Sequence, residues 1–419
     1  MSRLIVRGGT KLQGELEVYN AKNCVLALLA ASILTEEKVI LHKCPMIADV
    51  YSMIKILDDI GVKVEWQNDS LLIDSQLLNR YEISPNYAKE VRSSIFLMGS
   101  ILGRLKKVNA VFPGGCDIGL RPIDLHLKGL RALNISIQEY GGYLYCDGQS
   151  AHGGAVHLDF PSVGATENII LASVLLDGIT VITNVAKEPE IVALQDFLVA
   201  MGAHISGAGT STIVVEGVKK LHGVEFTPIP DRIIAGTYLI AGAFTGGDLL
   251  IKNCRPQDMK ALISKMDDCC GRITEYHDCI HIKSVPRPTS IKAIETQPFP
   301  GFPTDLQTQI LALQTISNGV SMIVENIFET RFKHVAELTK LGADIVVRDR
   351  VALVRGVKTL RGAEVFAHDL RGGAALVLAG LRAEGQTVIN NIRHIDRGYY
   401  KLDEALNSVG ADIVREVDL

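Results

Sequence analysis

The sequence predicts an α/β protein made of six copies of one β-α-β-α-β-β unit, arranged as two domains of three units each. Three observations predict it. A turn marked mostly by glycine recurs along the chain, as Gly61-Val-Lys-Val, Asn134-Ile-Ser-Ile, Gly202-Ala-His-Ile, Cys270-Gly-Arg-Ile, Gly342-Ala-Asp-Ile and Gly410-Ala-Asp-Ile, at spacings of 73, 68, 68, 72 and 68 residues. Two helical patterns of different character accompany every copy. The 419 residues, 47% hydrophobic and 21% charged, are enough to bury cores but exceed what one core supports.

Taken in order, each unit enters on an extended segment and continues into an apolar helix, expected over 22–34, 90–102, 165–176, 232–243, 306–316 and 372–381. These helices are apolar nearly all round, as helices packed inside a domain must be. Short β-branched runs follow at 39–41, 181–183, 249–251, 322–324 and 387–389. The second helix, at 50–60, 125–133, 191–201, 259–269, 335–341 and 402–409, leads into the recurring turn. Two β-type runs around a polar or glycine turn then close each of the first five units, as 135–138 and 143–146 do across Gly141-Gly142. The sixth unit stops after one strand, at the chain end. Two prolines in three residues, Pro228-Ile-Pro230, mark the expected domain boundary.

Composition removes several function classes. Lys and Arg number 43 against 47 Asp and Glu, a net charge of -4 with no dense basic run, which argues against a general nucleic-acid coat or an electrostatic membrane anchor. The longest apolar helical stretch, 24–34, falls short of the roughly 20 residues needed to span a bilayer, and residues 1–10 do not read as a signal peptide. A cytoplasmic protein is expected. Its eight cysteines are scattered, so most are read as reduced core thiols and no metal site is expected.

The starts of the six apolar helices are rich in polar groups. Asp, Ser and Thr there are explained by capping, but Lys22, Arg92, Arg371 and Arg232 oppose the positive end of the helix dipole. Either an anionic ligand is shared among these helix ends, or each cation pairs with a carboxylate nearby. The segment 112–122, Phe-Pro-Gly-Gly-Cys-Asp-Ile-Gly-Leu-Arg-Pro, is read as a lid loop carrying Cys116, whose thiol should be acidified by Arg121 and Arg92. The run Pro298-Phe-Pro-Gly-Phe-Pro-Thr-Asp305 fixes a carboxylate at a helix start, as an N-cap or as a held base. His394, in His394-Ile-Asp-Arg-Gly-Tyr399, reads as a structural residue.

These segments, together with Ser162-Val-Gly-Ala-Thr-Glu-Asn168 and Phe328-Glu-Thr-Arg-Phe332, resemble the UDP-N-acetylglucosamine enolpyruvyl transferases along essentially the whole chain. The resemblance implies an inside-out α/β barrel in two domains, 22–229 and 1–21 plus 230–419, with the active site in the cleft between them. It implies enolpyruvyl transfer from phosphoenolpyruvate to the 3-hydroxyl of UDP-N-acetylglucosamine, the first committed step of peptidoglycan synthesis, without metal or organic cofactor, nucleic acid, membrane or obligatory protein partner. Lys22, Arg121 and Arg397, assisted by Asn23, would bind phosphoenolpyruvate, and Cys116 would be the general acid. Asp305 would help remove the proton from the sugar 3-hydroxyl or from the tetrahedral intermediate. Arg92, Arg121, Pro122, Ile123, Asp124, Leu125, Ser162, Val163, Gly164, Asp305 and Ile327 would line the nucleotide-sugar site, with Asp231, Asp369 and Arg371 in support.

The chain departs from the family in two places. Tyr19-Asn20 stands where Ser-Gly is usual, with Asn20 expected to take the glycine's left-handed conformation, and Cys24-Val-Leu-Ala-Leu28 replaces a stretch of small residues and a proline. Asp268-Cys-Cys-Gly271 replaces the usual Met-Gly-Ala turn of the fourth unit. The alternatives are a non-catalytic paralogue that binds the nucleotide sugar and, less favoured because of the lid cysteine, a 5-enolpyruvylshikimate-3-phosphate synthase.

Overall fold

The computed structural model describes residues 2–112 and 122–417. The chain forms two compact units. One is built from the residues up to Tyr19 together with those from Pro230 onward, the other from the described residues between Asn20 and Ile229.

In the unit from Asn20 to Ile229, three apolar helices, Lys22–Ala31, Phe96–Leu105 and Val163–Ser173, are buried on nearly every face. The latter two pack closely enough for the Gly99 amide to donate to Asn168 Oδ1 at 2.7 Å. The companion helices Ala48–Asp59, Asp124–Ala132 and Pro189–Ala200 join hairpins to these cores. The first and third sheets share one four-stranded order, and the second has three strands, with Lys107–Val111 and Ser136–Tyr140 both antiparallel to Tyr143–Asp147. In the third, Ala155–His157 lies parallel to Ile179–Thr183, which pairs antiparallel with Thr212–Glu216 and through it with His204–Ser206. The first sheet draws its parallel strand from Glu225–Phe226, at the far end of this unit.

The other unit repeats the plan around Arg232–Thr245, Thr304–Gln314 and Leu370–Arg382, which pack against one another over a single apolar core. The N-terminal segment fills two gaps in it. Gln13–Glu17 supplies the parallel strand beside Asp248–Lys252. Arg3–Arg7 lies between Gln386–Asn390 and Asp412–Glu416, antiparallel to both, in the place where the other units set the second strand of their own hairpin.

Three details differ from the sequence expectation. The helix expected over 90–102 begins as a 3₁₀ turn, Arg92–Ile95, and continues as Phe96–Leu105. The fourth turn shifts by one residue: left-handed backbone falls on Gly61, Asn134, Gly202, Gly342 and Gly410, but on Gly271 rather than Cys270, because a cysteine β-carbon disfavours that conformation. Asn20 does not take the left-handed conformation expected of it. It is buried in a bridge with its amide directed at the His42 carbonyl, 3.5 Å away.

Because Arg3–Arg7 is paired on both sides with Leu4 and Val6 fully buried, Leu4→Ala is expected to cost about 2–4 kcal/mol. Urea unfolding monitored by circular dichroism measures this; an unchanged midpoint would show that the strand is not integral to the unit.

Candidate functional site

Lys22 is the first residue of its helix, where the dipole opposes a cation. Asp49, in the first turn of Ala48–Asp59, answers it: Nζ and Oδ2 are 2.6 Å apart with both side chains largely buried. Asn23 beside it is exposed, and the thiol of Cys24 is pushed far up by burial, consistent with packing rather than chemistry. In the same unit, Ser162 caps Val163–Ser173 by accepting from the Ala165 amide at 3.3 Å. Gly164 lies against the His126 ring, and His126 Nδ1 meets the Asn168 amide at 3.1 Å. Hence Ser162, Val163 and Gly164 come together with the start of Asp124–Ala132, where Ile123 is buried, Leu125 half-buried, and Pro122 and Asp124 exposed. Arg92 is half-buried at the start of its 3₁₀ turn.

The unit from Pro230 onward holds a denser group of charges. Asp305 is the second residue of Thr304–Gln314, and it is not an N-cap. Its Oδ1 meets Arg331 Nη2 at 3.1 Å and its Oδ2 meets Arg371 Nη2 at 3.0 Å. Both guanidiniums are buried, with side-chain exposures of 2% and 4%. Burial works against the charge on Arg371, but Asp305, Tyr399 and Asp231 together raise its pKa and keep it protonated. The Arg371 guanidinium also stacks over the Tyr399 ring at 5.4 Å, and the Tyr399 hydroxyl is held by Gln309 and Thr237. Asp231 and Asp369 are N-caps, accepting from the Ile233 and Ile234 amides and from the Arg371 and Gly372 amides respectively. Glu325, fully buried, accepts from the Ile327 and Phe328 amides and from the Thr304 hydroxyl, so it ties the Ile327 loop to the helix carrying Asp305. Burial lowers the pKa of His394, and the charges of Arg393 and Arg397 lower it further.

Cys116 and Arg121 lie outside the described residues. Of the cations flagged at helix starts, Lys22 and Arg371 pair with carboxylates of their own unit, and Arg232 stacks over Phe299 at 5.5 Å. Sequence reasoning missed Asp49, Glu325, His334 and the role of Arg331. Arg331 could have been found as the one cation in the quoted Phe328–Phe332 motif. It also missed Glu167, whose carboxyl is pushed well above the usual range by burial and by Glu190 and Glu188. An acidic pair around Pro189 was the available signal.

Two outcomes follow from these charges. Asp305→Asn leaves two buried guanidiniums without their shared counter-charge, and stability should fall by about 3 kcal/mol, read as a shifted urea midpoint; an unshifted midpoint would mean that the pairs do not form in solution. His334 is buried with Nδ1 donating to the Arg331 carbonyl at 3.2 Å. Burial pulls its pKa down to about 4, against the pull of Asp369 and with that of Arg331. The unfolded chain therefore takes up this proton first as pH falls below about 6.5. Stability present above that pH should be lost towards pH 4, on the order of 3 kcal/mol from this group. His334→Gln should flatten that part of the profile; a slope equal to that of the unsubstituted protein would assign the loss elsewhere.

Comparison with known proteins places this geometry in a family. A profile of the family described as EPSP synthase (3-phosphoshikimate 1-carboxyvinyltransferase) matches residues 6–406. UDP-N-acetylglucosamine 1-carboxyvinyltransferase 2 of Caldanaerobacter subterraneus subsp. tengcongensis is 53% identical over 415 residues, 99% of this chain and all of that protein. UDP-N-acetylglucosamine 1-carboxyvinyltransferase 1 of Symbiobacterium thermophilum is 47% identical over 419 residues, covering 99% of this chain and 95% of that protein. Among solved structures, the enolpyruvyl transferase NikO from Streptomyces tendae superposes with a TM-score of 0.86 at 24% identity, over 99% of this chain and 98% of its own. An EPSP synthase from Acinetobacter baumannii superposes with a TM-score of 0.73 at 19% identity over both whole chains. The two structures establish a shared enolpyruvyl transferase fold. From the extent of the family match and the identity to full-length relatives, the chain belongs to the EPSP synthase family and, within it, to the UDP-N-acetylglucosamine 1-carboxyvinyltransferases.

Proposed function

We propose that this protein is a transferase that moves the enolpyruvyl group of phosphoenolpyruvate to the 3-hydroxyl of UDP-N-acetylglucosamine, releasing phosphate, in peptidoglycan synthesis. The observation that carries the reading is a carboxylate, Asp305, held by two buried guanidiniums in a chain that is 53% identical to a curated carboxyvinyltransferase from end to end. The two substrates are anionic, and convergent cations suit them.

In this reading Lys22, Arg121 and Arg397, with Asn23, hold the phosphate and carboxylate of phosphoenolpyruvate. Cys116 gives a proton to its methylene carbon. The sugar 3-hydroxyl adds to the adjacent carbon as its proton leaves with the help of Asp305, and loss of phosphate with a proton from the new methyl group restores the double bond. The clamp on Asp305 fixes the carboxylate where the hydroxyl must approach, a positioning contribution separate from proton transfer. Arg92, Arg121 to Leu125, Ser162 to Gly164, Asp305 and Ile327 line the nucleotide-sugar site. Asp231, Asp369 and Arg371 support it. The same reading takes the sheets as two inside-out barrels of three units and places the protein in the cytoplasm. No helix among the described residues is long and apolar enough to cross a membrane.

Phosphate release measured with both substrates, and none with either alone, is the expected result. Cys116→Ala should lower kcat by roughly 10²–10⁴-fold, and fosfomycin should label Cys116 in the unsubstituted protein. Turnover with shikimate 3-phosphate in place of the nucleotide sugar would assign the chain to the sister reaction, and binding of the nucleotide sugar without any turnover would leave a non-catalytic paralogue.

A further inference from the structure

Cys269 and Cys270 close the helix Lys260–Cys270, and their Sγ atoms are 3.0 Å apart. Neither takes part in the chemistry proposed above. The surroundings hold the dipeptide in place. Gly271 follows with φ +119°, at a position where a β-carbon would stand 2.5 Å from the Lys283 carbonyl oxygen, so only glycine fits. The Cys269 carbonyl accepts from the Thr289 amide at 3.0 Å, and the Cys270 carbonyl accepts from the Val285 amide at 3.0 Å and the Ser284 hydroxyl at 2.6 Å. The backbone is pinned while the two sulfurs face each other. Cys269 Sγ donates to the Lys265 carbonyl at 3.4 Å, and a hydrogen bond from Cys270 lowers the pKa of the Cys269 thiol while raising that of its neighbour. Cys269 also keeps a margin of exposure, 7% against 0% for Cys270, which makes it the member that a small oxidant meets first.

We propose that Cys269 and Cys270 form a reversible oxidation site that closes to a disulfide between adjacent residues under a hydroperoxide. The Cys269 thiolate attacks one peroxide oxygen and the O–O bond breaks, leaving a sulfenic acid on Cys269 and, for hydrogen peroxide, hydroxide. The Cys270 sulfur then attacks the Cys269 sulfur and the S–O bond breaks. The departing hydroxide leaves as water with the Cys270 proton, so two thiols and one peroxide become one disulfide and two waters. Adjacent residues across a trans peptide hold their Cα atoms about 3.8 Å apart, below the roughly 4.4–6.8 Å of ordinary disulfides. Such a bond is readily reduced, a labile modification and not a structural cross-link.

The test treats the intact protein with hydrogen peroxide, quenches in acid, alkylates under denaturing conditions and examines the tryptic peptide Met266–Arg272, which carries both cysteines and no other. The expected result is a peptide that resists alkylation, is lighter than the reduced form by two hydrogen atoms, and regains both thiols with dithiothreitol. In Cys270→Ser the reaction should stop at a Cys269 sulfenic acid trapped by dimedone, and in Cys269→Ser the Cys270 thiol should survive. Double alkylation of that peptide under peroxide that oxidises Cys116, or cross-linking of either cysteine to Cys254 or Cys279 instead, would overturn the proposal.

Discussion

One unfilled sheet position constrains the whole chain. Without Arg3–Arg7 between them, Asp412–Glu416 and Gln386–Asn390 would face each other across a gap of unpaired backbone groups. Arg3–Arg7 fills the gap. The first residues of the chain must therefore belong with the last, and the chain enters the other unit only after Tyr19. Gln13–Glu17, on the same path, provides the parallel strand of the fourth unit, while Glu225–Phe226 performs that service for the first. Lys22 follows almost at once, at the start of a buried helix of the other unit.

The buried helices create the electrostatic problem that the functional residues answer. Their starts present unpaired amides and a positive dipole end, and Ser162, Asp231 and Asp369 satisfy those amides as caps. The buried cations of the two units require anions of their own. Lys22 has Asp49, and Arg331 and Arg371 divide the two oxygens of Asp305. Asp231 adds to the field of Asp305 at Arg371, so the buried guanidiniums stay charged through carboxylates that the fold brings to them.

The cysteines show how burial sorts identical side chains. Cys24, Cys44, Cys146 and Cys254 have thiols raised by burial and behave as small apolar residues. Cys269 departs from them because the hydrogen bond with its neighbour Cys270 lowers the pKa of its thiol.

Periodicity and turn chemistry in the sequence determined the helices of both patterns, the caps Ser162, Asp231 and Asp369 and the candidate carboxylate at 305, because these are written within a few residues of one another. The family resemblance rested on motifs of the same short range. The tertiary structure alone decided which charges meet. Asp49 is 27 positions from Lys22, and Asp305 lies 26 from Arg331 and 66 from Arg371, separations at which no local pattern specifies a partner. It also decided the fate of exceptions to the repeat: Asn20 entered a buried bridge in place of a left-handed turn, the fourth turn moved to Gly271, and Arg3–Arg7 took the place between Gln386–Asn390 and Asp412–Glu416. In each case the reason is physical, since buried amides, charges and β-carbons take whatever partner or space the packed chain brings to them, however distant in sequence.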